Sequence, residues 1–109
     1  MKRVNKTIGN QFEEELCRLL AEHGWWAHNM AQNQTGQPAD VIAVKNGIPV
    51  LIDCKDCANN IFTLSRIEAN QEGAMTRWEA TGNEHCYFAM RLNTGQIYMV
   101  HFDELCLRE

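Results

Sequence analysis

The sequence predicts a mixed α/β sandwich, one sheet with helices against both faces. Three observations carry this. Ile8, Phe12, Leu16, Leu19 and Leu20 recur at helical spacing and define one apolar face. The segments 41–44 and 50–52 are apolar on both faces, as central strands must be when helices cover a sheet from both sides. A second helical stretch then separates this hairpin from a later one, "HCYFAMRL…IYMVHF".

The elements follow in order. The first helix covers about Thr7 to His23, and Gly24 ends it. "WWAHNMA" reads as a first strand and "QNQTGQ" as a polar loop. The hairpin "PADVIAVKNGIPVLIDCK" spans 38–55, and "CANN" makes the next turn. A second helix starts near Ser65, with Glu68 three residues on as a capping box, and runs to about Ala80. Ile67, Ala74 and Trp78 form its inner face, and "TGNE" breaks it. After the second hairpin, Asp103 is placed to cap a last helical turn through "ELCL".

A chain of 109 residues suits one domain, 1–109, and its 45% hydrophobic content is that of a globular protein. No apolar run approaches the roughly 20 residues that span a bilayer, and "MKRVNKTIGNQFEEE" lacks the apolar segment of a signal peptide. The expected location is cytoplasmic. Five irregularly spaced cysteines argue against a secreted disulfide framework. Cys54 and Cys57 have CxxC spacing, but the nearest second pair is the adjacent His85 and Cys86, a poor tetrahedral set. Buried free thiols are the simpler reading, with a zinc or redox protein as the alternative. A net charge of −4 argues against a protein that merely coats nucleic acid, but not against an enzyme working through a bound cation.

The hairpin raises the functional question. Asn46-Gly47 is the preferred pair for a two-residue type I′ turn, which sets Lys45 opposite Ile48, Ile42 opposite Leu51 and Asp40 opposite Asp53. Directly opposed residues share a face, and Lys55, two residues on, shares it too. Opposed like charges destabilise a sheet. A shared proton, a basic side chain or a divalent cation would relieve them. Mg²⁺ or Mn²⁺ suits oxygen ligands so spaced. The alternative is a frayed hairpin end with both aspartates hydrated.

Two further residues point inward. On the first helix, with Ile8 at zero, Glu13 falls at about 140°, between Leu20 and Cys17, whereas Glu14 and Glu15 fall outside the apolar arc. A core-facing glutamate needs a partner unless it lies on the rim and reaches out to water. Gln71 sits on the inner face of the second helix, where glutamines are uncommon.

Together these residues resemble the PD-(D/E)XK nuclease superfamily. Asp40 in "PAD" matches the first acid and Asp53-Cys54-Lys55 the second element. "GNQFEE" and "FTLSRIEANQ" are similar to segments of RecU-type Holliday junction resolvases, and the late hairpin also has a counterpart there. The chain lacks that family's long stalk, since only "QNQTGQ" corresponds to it, and Asp53 stands where relatives more often carry Glu. Compact nucleases of the VRR-NUC and archaeal resolvase types share the motif.

The resemblance implies a restriction-endonuclease-like core, a central mixed β-sheet flanked by helices in the order α-β-β-β-α-β-β. It implies an Mg²⁺-dependent endonuclease acting on branched DNA, with Mn²⁺ as a substitute. Asp40, Asp53, the main-chain carbonyl of Cys54 and Glu13 would ligate the metal. Lys55 would activate water or, preferably, stabilise the phosphate by charge, and Gln71 would orient the water or Lys55. Lys2, Arg3, Lys6 and Arg66 are candidate phosphate contacts. Symmetric cutting of two strands by one-site chains implies a homodimer, with Trp25, Trp26 and Trp78 available to an interface or the core. The alternative is an inactive nuclease-fold module binding nucleic acid or protein.

Overall fold

The structure, a computed structural model, describes residues 8–30 and 37–105. Its elements are α1 (Ile8–Glu22), β1 (Trp26–Asn29), β2 (Val41–Lys45), β3 (Ile48–Cys57), a 3-10 turn (Leu64–Arg66), α2 (Ala69–Ala80), β4 (Cys86–Leu92), β5 (Ile97–His101) and α3 (Phe102–Leu105). The five strands form one sheet in sequence order. Every pairing is antiparallel except β3 with β4, which are parallel and joined through α2. This is the expected mixed sheet flanked by helices. Among the described residues no helix is long and apolar enough to cross a membrane.

β3 is the central strand, and its pleat feeds two cores. Val50 and Ile52 pack with Val41, Ala43, Phe12 and Leu16 on the α1 side. Leu51 and Cys57 pack with Met75, Phe88, Met90 and Phe102 on the other. The same alternation disposes of the CxxC pair. Cys54 packs toward the α1 core and Cys57 lies in the opposite one, so the two thiols face away from each other across the sheet. One metal ion or one disulfide cannot join them.

The hairpin register is the expected one through Val41 and Ile52, but the expected pairing of Asp40 with Asp53 lies outside the ladder, because Asp40 N–H donates to Ile52 O. Lys45 faces Ile48, Val44 faces Pro49 and Val41 faces Ile52. Asn46 and Gly47 have φ of 55° and 78°, the double positive φ of a type I′ turn. Gly24, at φ 90°, follows α1 as expected.

Two helix starts differ from the expectation. Ser65 does not open α2. Leu64–Arg66 forms a 3-10 turn, and Ile67 is extended (φ −85°, ψ 113°), which breaks any continuation. The helix begins at Ala69, and the capping box is built from Glu68 and Gln71. Likewise α3 begins at Phe102, so Asp103 lies within its first turn, and the Asp103 N–H donates to His101 Nδ1 at 3.1 Å.

A Cβ built on Gly47 meets no atom within 4 Å, so replacing this glycine tests the backbone alone. Gly47→Ala is expected to lower unfolding free energy by about 1 kcal/mol in urea titration, and Gly47→Val, which adds β-branching, by more.

Candidate active site

The site forms where β3 outruns β2. The antiparallel ladder ends at Val41 and Ile52, and Asp40 N–H still donates to Ile52 O at 3.1 Å. Beyond that point β3 keeps only β4 as a neighbour, through Cys57. The next β3 amide on the open side, that of Cys54, donates to Asp40 Oδ2 at 2.8 Å. A side chain thus continues the ladder for one more bond. The Cys54 carbonyl projects toward the same open edge as its N–H.

Asp40, Asp53, Lys55 and Glu13 are the buried charged residues of the described chain, at 5%, 0%, 8% and 6% exposure. Lys55 Nζ lies 3.0 Å from Asp53 Oδ2. Gln71 closes the arrangement from α2. Its Nε2 donates to Asp53 Oδ1 at 2.9 Å, and its Oε1 accepts from Lys55 Nζ at 3.1 Å. The same Oε1 accepts the Glu68 N–H at 3.1 Å, so the helix cap and the site share one side chain. Glu13 reaches in from α1, while Glu14 is exposed, as the helical wheel predicts. Glu13 and Asp53 both interact with Asp40, and Glu13 also feels the charge of Asp53.

Crowding changes the acids. Burial first, and then the charge of Asp40, raise Asp53 to about 7, against the opposing pull of Lys55. Burial, and then Asp40 and Asp53, raise Glu13 to about 8. Burial also pushes the Cys54 thiol far up, which makes it inert as a nucleophile. Of the three ways to relieve the acid pair, the geometry shows Lys55, and the upward shift of Asp53 and Glu13 favours a proton as the second.

A divalent cation fits the same set. Asp53 Oδ2 is fully buried and, apart from the charge of Lys55, receives no aligned hydrogen bond. Hard carboxylate oxygens of this kind suit Mg²⁺ or Mn²⁺. A tighter cluster, Glu79, His101 and Asp103, lies elsewhere among the described residues. Both His101 nitrogens are engaged there: Nδ1 by the Asp103 N–H at 3.1 Å and Nε2 by Glu84 O at 2.6 Å. It ties α2, β5 and α3 together and offers an ion no free ring nitrogen.

Of the expected phosphate contacts, Lys2, Arg3 and Lys6 lie outside the described residues. Arg66 donates to Asp56 O at 3.2 Å and to Cys57 Sγ at 3.8 Å, bracing the segment between β3 and α2. One group escaped the sequence reading. Arg91 on β4 pairs with Glu15 of α1 and with Asp56 Oδ2 of β3, the latter at 2.9 Å, and lies 4.7 Å from the centre of the Phe12 ring. A lone arginine in the apolar run "CYFAMRL" was its only signal.

A model of the archaeal Holliday junction resolvase (Hjc) family matches residues 4–109 of the chain. No curated protein matches. Among solved structures the chain is similar to Archaeoglobus fulgidus Hjc, a Holliday junction resolvase from an archaeal hyperthermophile. The TM-score is 0.71 at 19% identity, over 93% of this chain and 78% of that one, a likeness of fold.

The raised acids make the metal-free protein sensitive to pH. Unfolded, Asp and Glu release their protons near pH 4. Folded, Asp53 and Glu13 hold theirs to about 7 and about 8. The folded state therefore binds more protons across that window, and their contribution to stability falls as pH rises through it. In EDTA, Glu13→Gln is expected to match the parent at pH 4 and to exceed it by on the order of 1–3 kcal/mol at pH 8.5. Denaturant titration at both pH values measures the difference.

Proposed function

The chain belongs to the archaeal Holliday junction resolvase (Hjc) family, nucleases of branched DNA, and from that premise we propose an Mg²⁺-dependent phosphodiester hydrolase whose site is Glu13, Asp40, Asp53, Lys55 and Gln71. The observation that carries this reading is Asp53, a fully buried carboxylate set between Asp40 and the Lys55 ammonium. Packing alone calls for no acid at that position, and a bound cation would give it a role.

In this reading Asp40 and Asp53 hold the metal, with the Cys54 carbonyl and Glu13 completing its protein ligands. When bound, Mg²⁺ lowers the pKa of a water and offsets charge gathering on the phosphate, and Mn²⁺ serves as well. As ligands, Asp53 and Glu13 would be ionised, and Lys55 would supply positive charge beside the scissile phosphate. Gln71 holds Lys55 and Asp53 in mutual alignment while also capping α2. Lys2, Arg3 and Lys6 are assigned to the DNA backbone.

Each chain carries one such site, and resolving a four-way junction requires two symmetric cuts, so a two-fold homodimer is part of the proposal. An apolar recess of about 550 Å³ on the α1 side, lined in part by Leu16, Trp25, Ile48, Tyr87 and Met99, offers such a dimer apolar surface to bury. Sedimentation velocity that reports a single-chain mass at micromolar concentration would contradict the dimer.

The decisive measurement is a cleavage panel of four-way junction, flap, duplex and single-stranded DNA in Mg²⁺ and in Mn²⁺. The junction is expected to be cut, and Asp40→Ala and Asp53→Ala to reduce the rate at least about 100-fold. A chain that binds junctions yet cuts none of the substrates in either metal is instead a non-catalytic module. Calorimetry at pH 7 in buffers of different ionisation enthalpy should also show proton release on Mn²⁺ binding, because Asp53 and Glu13 are partly protonated there. Binding without proton release would remove Glu13 and Asp53 from the ligand set.

A further inference from the structure

The acids of the site come from two bodies. Asp40, Asp53 and Lys55 ride on the β2–β3 hairpin, whereas Glu13 rides on α1. The helix meets the sheet largely through apolar side chains such as Phe12 and Leu16. The hydrophobic effect is non-directional, and packing alone leaves the fine rotation of a helix less sharply set than a charged hydrogen bond does. A ligand set that spans helix and sheet needs a directional anchor.

We propose that Arg91 is that anchor, a positioning residue that fixes α1 against β3 so that Glu13 meets the acids of the hairpin. Its contacts fall on the chain neighbours of the site residues. It pairs with Glu15, two residues after Glu13, and stacks at 4.7 Å on Phe12, the residue before Glu13. On β3 it pairs at 2.9 Å with Asp56, the residue after Lys55. One planar group thus ties the backbone beside Glu13 to the backbone beside Lys55. The Arg91 side chain is only 18% exposed, and both its terminal nitrogens are committed to carboxylates. It is therefore placed to brace the fold rather than to receive a DNA phosphate. The task needs arginine. A guanidinium serves two carboxylates from one plane while lying on an aromatic ring, and a lysine ammonium does not reproduce that fork.

The inference rests on the reading of Glu13 as a metal ligand, and the test separates the two. Mn²⁺ affinity is measured without DNA, by calorimetry and by the electron paramagnetic resonance of free Mn²⁺, for the parent, Asp53→Ala, Arg91→Lys and Arg91→Gln. Val100→Ala serves as a stability control, since Val100 packs on the opposite core. Amide exchange of α1 is followed in the same metal-free proteins. Both Arg91 variants should weaken Mn²⁺ binding about 10-fold or more, speed exchange around residues 12–17, and leave exchange in the centre of β3 protected. Val100→Ala should lower the Tm while keeping Mn²⁺ affinity within about twofold of the parent, the scale on which distant substitutions act independently. Parent-like affinity and α1 exchange in Arg91→Lys overturn the proposal, as does equal weakening by Val100→Ala. Binding lost in Asp53→Ala but intact in both Arg91 variants overturns this proposal alone. A parent that binds no Mn²⁺ overturns both readings.

Discussion

The structure depends on the crowding of negative charge around Asp53. A carboxylate with no exposure stands beside a second carboxylate and near a third. The neighbouring polar features can be read as responses to that fact. Lys55 supplies charge, Gln71 holds Lys55 and Asp53 together, and the Cys54 amide occupies one oxygen of Asp40. Burial and the neighbouring acids also raise Asp53 and Glu13, which favours their protonated forms. A buried carboxylate costs stability unless it is paired, and Lys55 and Gln71 are the partners that reduce that cost.

The sheet supplies the room for this arrangement. β3 runs ten residues whereas β2 runs five, so the second half of β3 has a neighbour on one side only. An open strand edge ordinarily invites pairing with another chain. Here the first exposed amide is taken by Asp40, and the helices bring Glu13 and Gln71 to the same end. The place where the ladder stops is the place where the buried acids gather.

Much of this was legible in the sequence, because the decisive signals were local. The Asn46-Gly47 dipeptide predicts the register through Val41 and Ile52, which carries Asp40 to the Asp53 end of β3, although the ladder stops before the two acids pair. The helical wheel separated Glu13 from Glu14. Gln71 stood out as a polar residue on an inward face. What escaped was non-local or competed with a good local alternative. Ser65 and Glu68 have capping-box spacing, yet the extended Ile67 between them moves the cap to Glu68 and gives Gln71 a second duty. Arg91 meets Glu15 across 76 positions of chain, and no periodicity announces such a partner. The CxxC spacing misleads for the opposite reason. It suggests proximity, but within a strand an odd separation sends the two thiols to opposite faces.

The way the sheet is joined also bears on the order in which the protein folds. The β2–β3 hairpin closes through two residues, and hairpins of this kind form in microseconds. The parallel pairing of β3 with β4 must wait for the whole of α2 to be spanned, and non-local pairings form slowly. Gln71 and Arg91 reach this end of β3 only from α2 and β4. Lys55 sits on the same strand as Asp53, two residues away, so the charge that balances the buried acid depends on no long-range contact.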